Sequence, residues 1–298
     1  MIATIGFMLA SLSAMGNDAL QTLSSFIASN KGTKWYTLWG FTSLILILTL
    51  GYGYMTGDMS HGRLNRVPEI TIEWYHLLAP LALLALTKYG IPTSGSFILI
   101  SSVASAVVIE KMLIKSAMGF AVGFVVAYVV WLIVKRLIDE TKKPKNPKLW
   151  TYLQYISTGI LFAFWLSQDA SNFLLYLPRE LSALQAAGVI ATLVGVLGVI
   201  FYKGGGKIQE IVNSKKNARY RVSATIIDLV YALILWQFKI VNDIPMSTTV
   251  VFIGVISARQ LVLESNKKSM VMMAKDTGKL LIGIVVSLLV VLIIQQLK

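Results

Sequence analysis

The segment SAMGNDALQTLSSFIASN, Ser13 to Asn30, places polar residues where an apolar run would be expected to continue. Residues 1–14 carry no charge, and then Asn17 and Asp18 stand side by side. A carboxylate within a membrane span is costly and almost always faces a partner, a cavity or an ion path. The segment therefore predicts an interrupted membrane helix with a functional carboxylate.

The composition supports a membrane location for the whole chain. Of its 298 residues 56% are hydrophobic and only 14% are charged, whereas soluble domains carry about 25% charged residues. The absence of cysteine excludes disulfides, thiolate catalysis and cysteine-based metal sites. The net charge of +13 comes from basic loops between apolar runs, without interleaved aromatic residues. We attribute it to membrane topology and expect no nucleic-acid partner.

Ten apolar runs predict ten crossings of a lipid bilayer, since most of them approach the roughly 20 residues that a spanning helix needs. The runs cover residues 1–28, 35–53, 70–89, 91–109, 112–134, 150–176, 183–202, 222–241, 245–263 and 277–297. The basic loops 135–148, 203–221 and 265–279 fall on one side, which the distribution of basic residues assigns to the cytoplasm. We therefore expect a multi-pass protein of the cell or plasma membrane with both termini outside.

The polar interruption recurs in the second half of the chain. Asp169 lies within FWLSQDASNFLLYLPREL (164–181), 151 residues after Asp18. YGIPTSGSFILISS (89–102) and NDIPMSTTVVFIGVIS (242–257) likewise pair Pro92 with Pro245, 153 residues apart. Five crossings per half reverse the second copy relative to the first. We predict an all-α polytopic membrane protein with two inverted-topology repeats, 1–134 and 150–298, a basic cytoplasmic linker at 135–149, and interrupted helices at the midplane.

The two intramembrane carboxylates indicate a cation site. Neither Asp18 nor Asp169 has a Lys or Arg near it in sequence, so a bound cation would balance each charge, with amide oxygens as further ligands. A helix cap or an interhelical hydrogen bond is the alternative for each carboxylate. The predicted cation ligands, with sodium at the two aspartates, are Asn17, Asp18, Gln21, Gln168, Asp169 and Asn172.

The two Pro-Ser/Thr segments indicate an anion site. Proline favours the first turn of a helix, and helix N-termini with free N–H groups bind anions. Hydroxyls there also serve as ordinary helix caps, which is the alternative. The predicted anion-binding residues are Ser94, Gly95, Ser96, Ser247, Thr248 and Thr249. Asp228, a third intramembrane carboxylate, is expected to support this site from beside its ligands.

These paired motifs resemble those of the inorganic phosphate transporter family, sodium- or proton-coupled carriers with GANDVANA-like and PVSTTHS-like motifs in each inverted half. The resemblance covers both halves. The matches are Asn17 and Asp18 in MGNDALQT, Asp169 and Asn172 in SQDASNF, Pro92 and Ser94 in IPTSGSF, and Pro245, Ser247, Thr248 and Thr249 in IPMSTTV. Asp228-Leu229 stands where the family tends to have Glu-Leu. The departures are Gln21 and Gln168 for Asn, Gly95 and Ser96 for the two Thr, and the missing His.

The resemblance implies that the Asn/Asp motifs coordinate the driving cation and that the Ser/Thr motifs hold phosphate. The expected function is a secondary active transporter, not an enzyme, that couples sodium or proton influx to phosphate uptake without a cofactor. Sulfate or another tetrahedral oxyanion is the first alternative substrate. A membrane-embedded prenyltransferase is disfavoured because paired acidic motifs for magnesium are missing, and a receptor or scaffold would not need the buried carboxylates. A homodimer is compatible with the sequence.

Overall fold

The structure, a computed structural model, describes residues 1–137, 144–205, 209, 220–263 and 267–297, and the regular structure within these ranges is helical. The helices are α1 (Ile2–Ala14), α2 (Leu20–Ser29), α3 (Trp35–Met55), α4 (Leu78–Lys88), α5 (Ala106–Leu137), α6 (Pro147–Asp169), α7 (Ser171–Leu174), α8 (Ala183–Tyr202), α9 (Arg221–Val241), α10 (Thr248–Leu263) and α11 (Lys267–Gln296), with π-helical segments at Met15–Ala19 and Ser96–Ile100 and a 3₁₀ turn at Trp74–Leu77.

Within the described part of the chain, five helices are long and apolar enough to cross a membrane: α3, α5, α8, α9 and the Met270–Gln296 part of α11. The apolar residues of α5 and α8 face largely outward, since only 22% of the most apolar stretch of α5 and 28% of that of α8 is buried. An apolar surface of this extent requires lipid rather than water around it. The chain is an integral multi-pass membrane protein, as the sequence predicts.

Both predicted interruptions are present, in two different forms. Asn17 and Asp18 lie in the π-helical segment that joins α1 to α2, and such segments occur frequently at functional sites. In the second half, α6 ends at Asp169 and the short helix α7 begins at Ser171. Each carboxylate therefore lies where the α-helical hydrogen-bond pattern is broken.

The predicted membrane-length helix over 91–109 is wrong. Residues 91–94 form no regular secondary structure, the π-helical segment Ser96–Ile100 follows, and α5 begins only after the turn at 101–104. Pro92 lacks an N–H group, and the hydroxyl residues beside it offer the backbone other hydrogen bonds, which disfavours a regular helix. Neither proline occupies a first helical turn, because Pro245 also lies in irregular chain before α10.

The helices pack in pairs that correspond between the two halves. The α5–α10 and α6–α9 contacts are the most extensive, and their counterparts under the predicted repeat, α11 with Ser96–Ile100 and α1 with α4, are also in contact. The counterpart helices α3 and α8 pack against each other. This is the arrangement that an inverted repeat requires, while the repeat and its boundaries stay a prediction.

Hydrogen bonds at the helix ends sort the loops into two groups. At one end, Arg221 donates to Asn30 (3.0 Å) and to Thr151 (2.6 Å), joining the end of α2 to the starts of α6 and α9. At the opposite end of α9, Arg63 donates to Asn242. The loops near residues 30, 147 and 220 therefore share one side, as predicted, although most of the basic loop 203–221 lies outside the described residues.

Candidate functional site

The Asp18 carboxylate joins the two Pro-Ser/Thr segments. Its Oδ2 accepts a hydrogen bond from the Gly95 N–H group at 3.1 Å, and its Oδ1 accepts one from the Thr249 hydroxyl at 3.0 Å. Gly95 belongs to the first half of the chain and Thr249 to the second. Asp18 is 2% exposed, so it holds both segments in a solvent-excluded position.

The Asp169 carboxylate makes the corresponding contacts. Its Oδ1 accepts a hydrogen bond from the Ser96 hydroxyl at 3.2 Å, and its Oδ2 accepts one from the Thr248 hydroxyl. Gly95 and Thr248 are each the third residue after their proline, and Ser96 and Thr249 are each the fourth. The contacts of one carboxylate therefore map onto those of the other when the two halves are exchanged.

The predicted cation and anion residues thus form one interleaved cluster rather than two neighbouring sites. The adjacent residues Thr248 and Thr249 donate to different carboxylates, Thr248 to Asp169 and Thr249 to Asp18. All four side chains are almost fully buried. A change in what binds either carboxylate must therefore alter the hydroxyls of the second Pro-Ser/Thr segment.

Glycine at position 95 leaves space for the Asp18 carboxylate. A Cβ atom at this position would lie 2.2 Å from Oδ2 of Asp18 and 2.9 Å from Nδ2 of Asn172. The backbone of Gly95 is right-handed helical, so close approach rather than an unusual φ angle requires glycine here. The sequence suggested that an anion would approach this backbone, whereas in the structure Asp18 occupies the space.

The amide side chains of the first half form a chain that leads to Thr93. Gln21 Nε2 donates to Asn17 Oδ1 at 2.9 Å, and Asn17 Nδ2 donates to the Thr93 carbonyl oxygen. The Thr249 hydroxyl also reaches that carbonyl, at 3.3 Å. Oε1 of Gln21 is buried and has no hydrogen-bond partner, so an oxygen suitable for a cation is available there.

The amides of the second half are arranged differently. Asn172 Oδ1 accepts a hydrogen bond from the Ser96 hydroxyl at 3.1 Å, and its Nδ2 is buried without a partner. Gln168 Nε2 donates to the Leu235 carbonyl oxygen at 3.1 Å, which leaves its Oε1 without a partner. The donor set fits both kinds of ion, because it offers spare amide oxygens for a cation and a spare N–H group for an anion.

The serine two residues after each proline caps the helical segment that follows. Ser94 Oγ accepts a hydrogen bond from the Phe97 N–H group at 3.2 Å, and Ser247 Oγ accepts one from the Val250 N–H group at 3.1 Å. Serine is a preferred residue for this role. The capping interpretation therefore applies to Ser94 and Ser247, whereas the next residues face the carboxylates.

Asp228 is fully buried and has its own hydrogen-bond partners. Its Oδ1 accepts from the Ser25 hydroxyl and its Oδ2 from the Thr158 hydroxyl, each at 2.5 Å. These partners lie on α2 and α6, the same broken helices that carry Asp18 and Asp169. Asp228 thus forms a separate polar position between the helices of the two halves.

Three contributors were not predicted. The Thr93 carbonyl accepts two of the hydrogen bonds described above, and the Tyr231 hydroxyl donates to the Thr248 carbonyl at 2.8 Å. Ser116 Oγ accepts a hydrogen bond from the Ser247 N–H group at 2.8 Å. The sequence offers a signal for Thr93, which lies within the IPTSGSF motif, and for Tyr231, which lies close to Asp228. It offers no signal that Ser116 belongs to the site.

The described residues contain no group of three or more His, Cys, Asp or Glu side chains placed to hold one metal ion. No protein-family model matches the chain, and no curated protein sequence does. A solved structure described as "The sodium-dependent phosphate transporter" is similar over 100% of this chain and 99% of its own, with a TM-score of 0.61 and 13% identity. The chain shares the fold of that transporter. The similarity in fold that the sequence motifs implied is confirmed.

Proposed function

We propose that the protein is a secondary active transporter that couples the influx of a cation, sodium first, to the uptake of inorganic phosphate. The observation that carries this proposal is the pair of hydrogen bonds from Thr248 to Asp169 and from Thr249 to Asp18. Two adjacent hydroxyls that are suited to binding an anion each donate a hydrogen bond to a different carboxylate. The fold shared with a sodium-dependent phosphate transporter adds support.

Coupling follows from competition for the same hydrogen-bond donors. The Thr248 and Thr249 hydroxyls and the Gly95 N–H group, which suit an oxyanion, are engaged by Asp169 and Asp18. An anion entering without a cation would also face two buried negative charges, and like charges repel strongly in a low-dielectric interior. A cation at each carboxylate offsets its charge and releases the donors. Phosphate binding therefore depends on cation binding.

Sodium is favoured over a proton by the available oxygens. Carboxylate and carbonyl oxygens are the ligands that hard cations prefer, and Oε1 of Gln21 and of Gln168 is buried without a partner. A proton would neutralise one carboxylate but would leave these amide oxygens unused. Proton coupling is the outcome that an uptake experiment without sodium would reveal.

Phosphate is favoured over sulfate by the acceptors in the cluster. Hydrogen phosphate carries an O–H group that needs an acceptor, and sulfate at neutral pH carries none. The cluster contains the carboxylates of Asp18 and Asp169 and the unpartnered oxygens of Gln21 and Gln168. A site built to satisfy a ligand hydroxyl rejects an analogue that lacks it, because its own polar groups are left unpaired.

The experiment is uptake of labelled phosphate and labelled sulfate by proteoliposomes under an inward sodium, proton or potassium gradient. We expect phosphate uptake to exceed sulfate uptake and to require the sodium gradient. Vesicles with the Asp18→Asn/Asp169→Asn double variant serve as the control for leakage. Phosphate uptake of equal rate under potassium alone would contradict coupling, and faster sulfate uptake would reassign the substrate.

A further inference from the structure

Two buried, positively charged side chains contact the irregular segment 242–247 that leads into α10. Arg63 belongs to the loop after α3 and is 1% exposed, and Lys115 lies in the first part of α5 and is 6% exposed. Buried arginine and lysine are rare unless they are paired. Neither residue belongs to the cluster around Asp18 and Asp169, so their burial needs its own explanation.

Lys115 and Ser116 form hydrogen bonds near both ends of this segment. Lys115 Nζ donates to the backbone oxygen (3.1 Å) and the side-chain oxygen (2.9 Å) of Asn242 and to the Ile244 backbone oxygen (2.7 Å). The next residue, Ser116, accepts a hydrogen bond from the Ser247 N–H group at 2.8 Å. The start of α5 therefore fixes the chain from Asn242 to Ser247, immediately before the hydroxyls that contact the carboxylates.

Arg63 approaches the same segment but does not use all of its donors. Its Nη1 donates to the Asn242 backbone oxygen at 2.6 Å and its Nη2 to the Lys239 backbone oxygen at 3.2 Å. Its Nε is buried and has no hydrogen-bond partner. Burial lowers the pKa of Arg63 to about 10, so the guanidinium stays charged at neutral pH. The Nε–H donor of this charged group is therefore buried without an acceptor.

The Arg63 charge acts on both the loop side of the protein and the central cluster. The Arg63 charge interacts with those of Asp243 and Asp169. Asp243 is exposed beside the loop, whereas Asp169 is buried in the cluster. Arg63 is therefore placed where its charge acts both on the outer loop and on the site, and a positive charge near a site raises the local concentration of an anion.

We infer that Arg63 recognises the oxyanion on its way to Thr248 and Thr249 and that Lys115 is a positioning residue for the segment which receives it. This inference rests on the proposed function. Arginine suits the role because its planar donors match the oxygens of a phosphate group. An incoming oxyanion would bind Nε and then exchange the Arg63 contacts for the hydroxyls of the second Pro-Ser/Thr segment.

The test compares Arg63→Gln, Arg63→Lys and Arg66→Gln in proteoliposomes, with labelled phosphate uptake measured at saturating sodium. Arg66 is an exposed arginine of the same loop and serves as the matched control. We expect Arg63→Gln to raise the apparent phosphate constant by roughly ten- to a hundredfold, the effect of losing one hydrogen bond to a charged group. The maximal rate and the sodium constant should stay close to those of the wild type, whereas the thermal stability should fall, because the Asn242 and Lys239 backbone oxygens lose their buried donors.

Arg63→Lys should raise the phosphate constant less than Arg63→Gln, since it keeps the charge without the planar donors, and it decides the question if Arg63→Gln does not fold. An Arg63→Gln or, in that case, Arg63→Lys constant equal to that of Arg66→Gln would overturn the inference. So would a loss confined to maximal rate and thermal stability, which a purely structural arginine would produce. Failure of the proposed function is distinguishable, because the wild-type protein itself would then take up no phosphate.

Discussion

At the scale of single residues, Asp18 and Asp169 are the groups on which the proposed coupling depends. Asp18→Asn and Asp169→Asn keep the size of each side chain and remove its charge. Removing one partner of a buried charged contact typically costs about 3–5 kcal/mol. We therefore expect each variant to raise the sodium constant of phosphate uptake at least tenfold.

The matched control for these variants is Glu110→Gln, which neutralises an exposed carboxylate near the start of α5. Sodium titrations of uptake and of protein fluorescence provide the two measurements. Wild-type sodium constants in both aspartate variants would show that these carboxylates are structural.

The hydroxyls of Thr248 and Thr249 are a second test at this scale. Thr→Val removes the hydroxyl and keeps the shape, and one hydrogen bond to a charged group is worth about 1.5–3 kcal/mol. Thr248→Val and Thr249→Val should each raise the phosphate constant more than Ser247→Ala, because the Ser247 hydroxyl caps α10. Thr249→Ser, which restores the hydroxyl, should recover most of the loss. If Thr248→Val and Ser247→Ala had equal phosphate constants, the Thr248 hydroxyl would not bind the anion.

Gly95 offers a steric test of the same cluster. Gly95→Ala would bring a Cβ atom to 2.2 Å from the Asp18 carboxylate, so the carboxylate or the segment must move. We expect uptake to be lost while the protein is still inserted in the membrane. Gly188→Ala in α8, where a Cβ atom would meet nothing within 4 Å, should leave uptake unchanged. Full activity of Gly95→Ala would contradict the described geometry.

At the scale of helices, the sequence predicts most elements correctly because apolar length is a strong signal. It misjudges residues 91–109, since hydropathy alone does not separate a regular helix from irregular chain that is buried among other helices. Pro92 and the hydroxyl residues around it signal the break, but the same chemistry also fits a helix N-terminus. The point at which this chain becomes helical depends on its packing against α11. The two approach closely there, since a Cβ atom on Gly283 would lie 2.8 Å from the Thr93 hydroxyl oxygen.

The sidedness of the helices can be tested with single cysteines, because the natural chain has none. Lys34→Cys and Lys145→Cys lie at exposed positions on the side predicted to be cytoplasmic, and Glu180→Cys is exposed at the other side. A membrane-impermeant maleimide added to intact cells should label Glu180→Cys alone. Labelling of Lys145→Cys but not Glu180→Cys would reverse the orientation, and equal labelling of both would contradict the helix arrangement.

At the scale of the whole molecule, sequence offsets predict which residues are counterparts but not which ones touch. The 151- and 153-residue spacings relate Asp18 to Asp169 and Thr248 to Gly95. The contacts from Asp18 to Thr249 and from Asp169 to Ser96 arise only when the two halves interlock. Arg63 and Tyr231 were missed because they themselves lie outside the repeated motifs, although each contacts a residue within one of them.

The proposed coupling rests on competition between phosphate and the carboxylates of Asp18 and Asp169 for one set of hydrogen-bond donors, which a bound cation releases. It is tested most directly by phosphate binding to the purified protein at increasing sodium concentration. We expect the phosphate dissociation constant to fall steeply as the sodium concentration rises and phosphate to tighten sodium binding by the same factor. The Asp18→Asn/Asp169→Asn double variant should lose both effects. A phosphate dissociation constant that is the same with and without sodium, at any fixed pH, would contradict sodium coupling through these carboxylates.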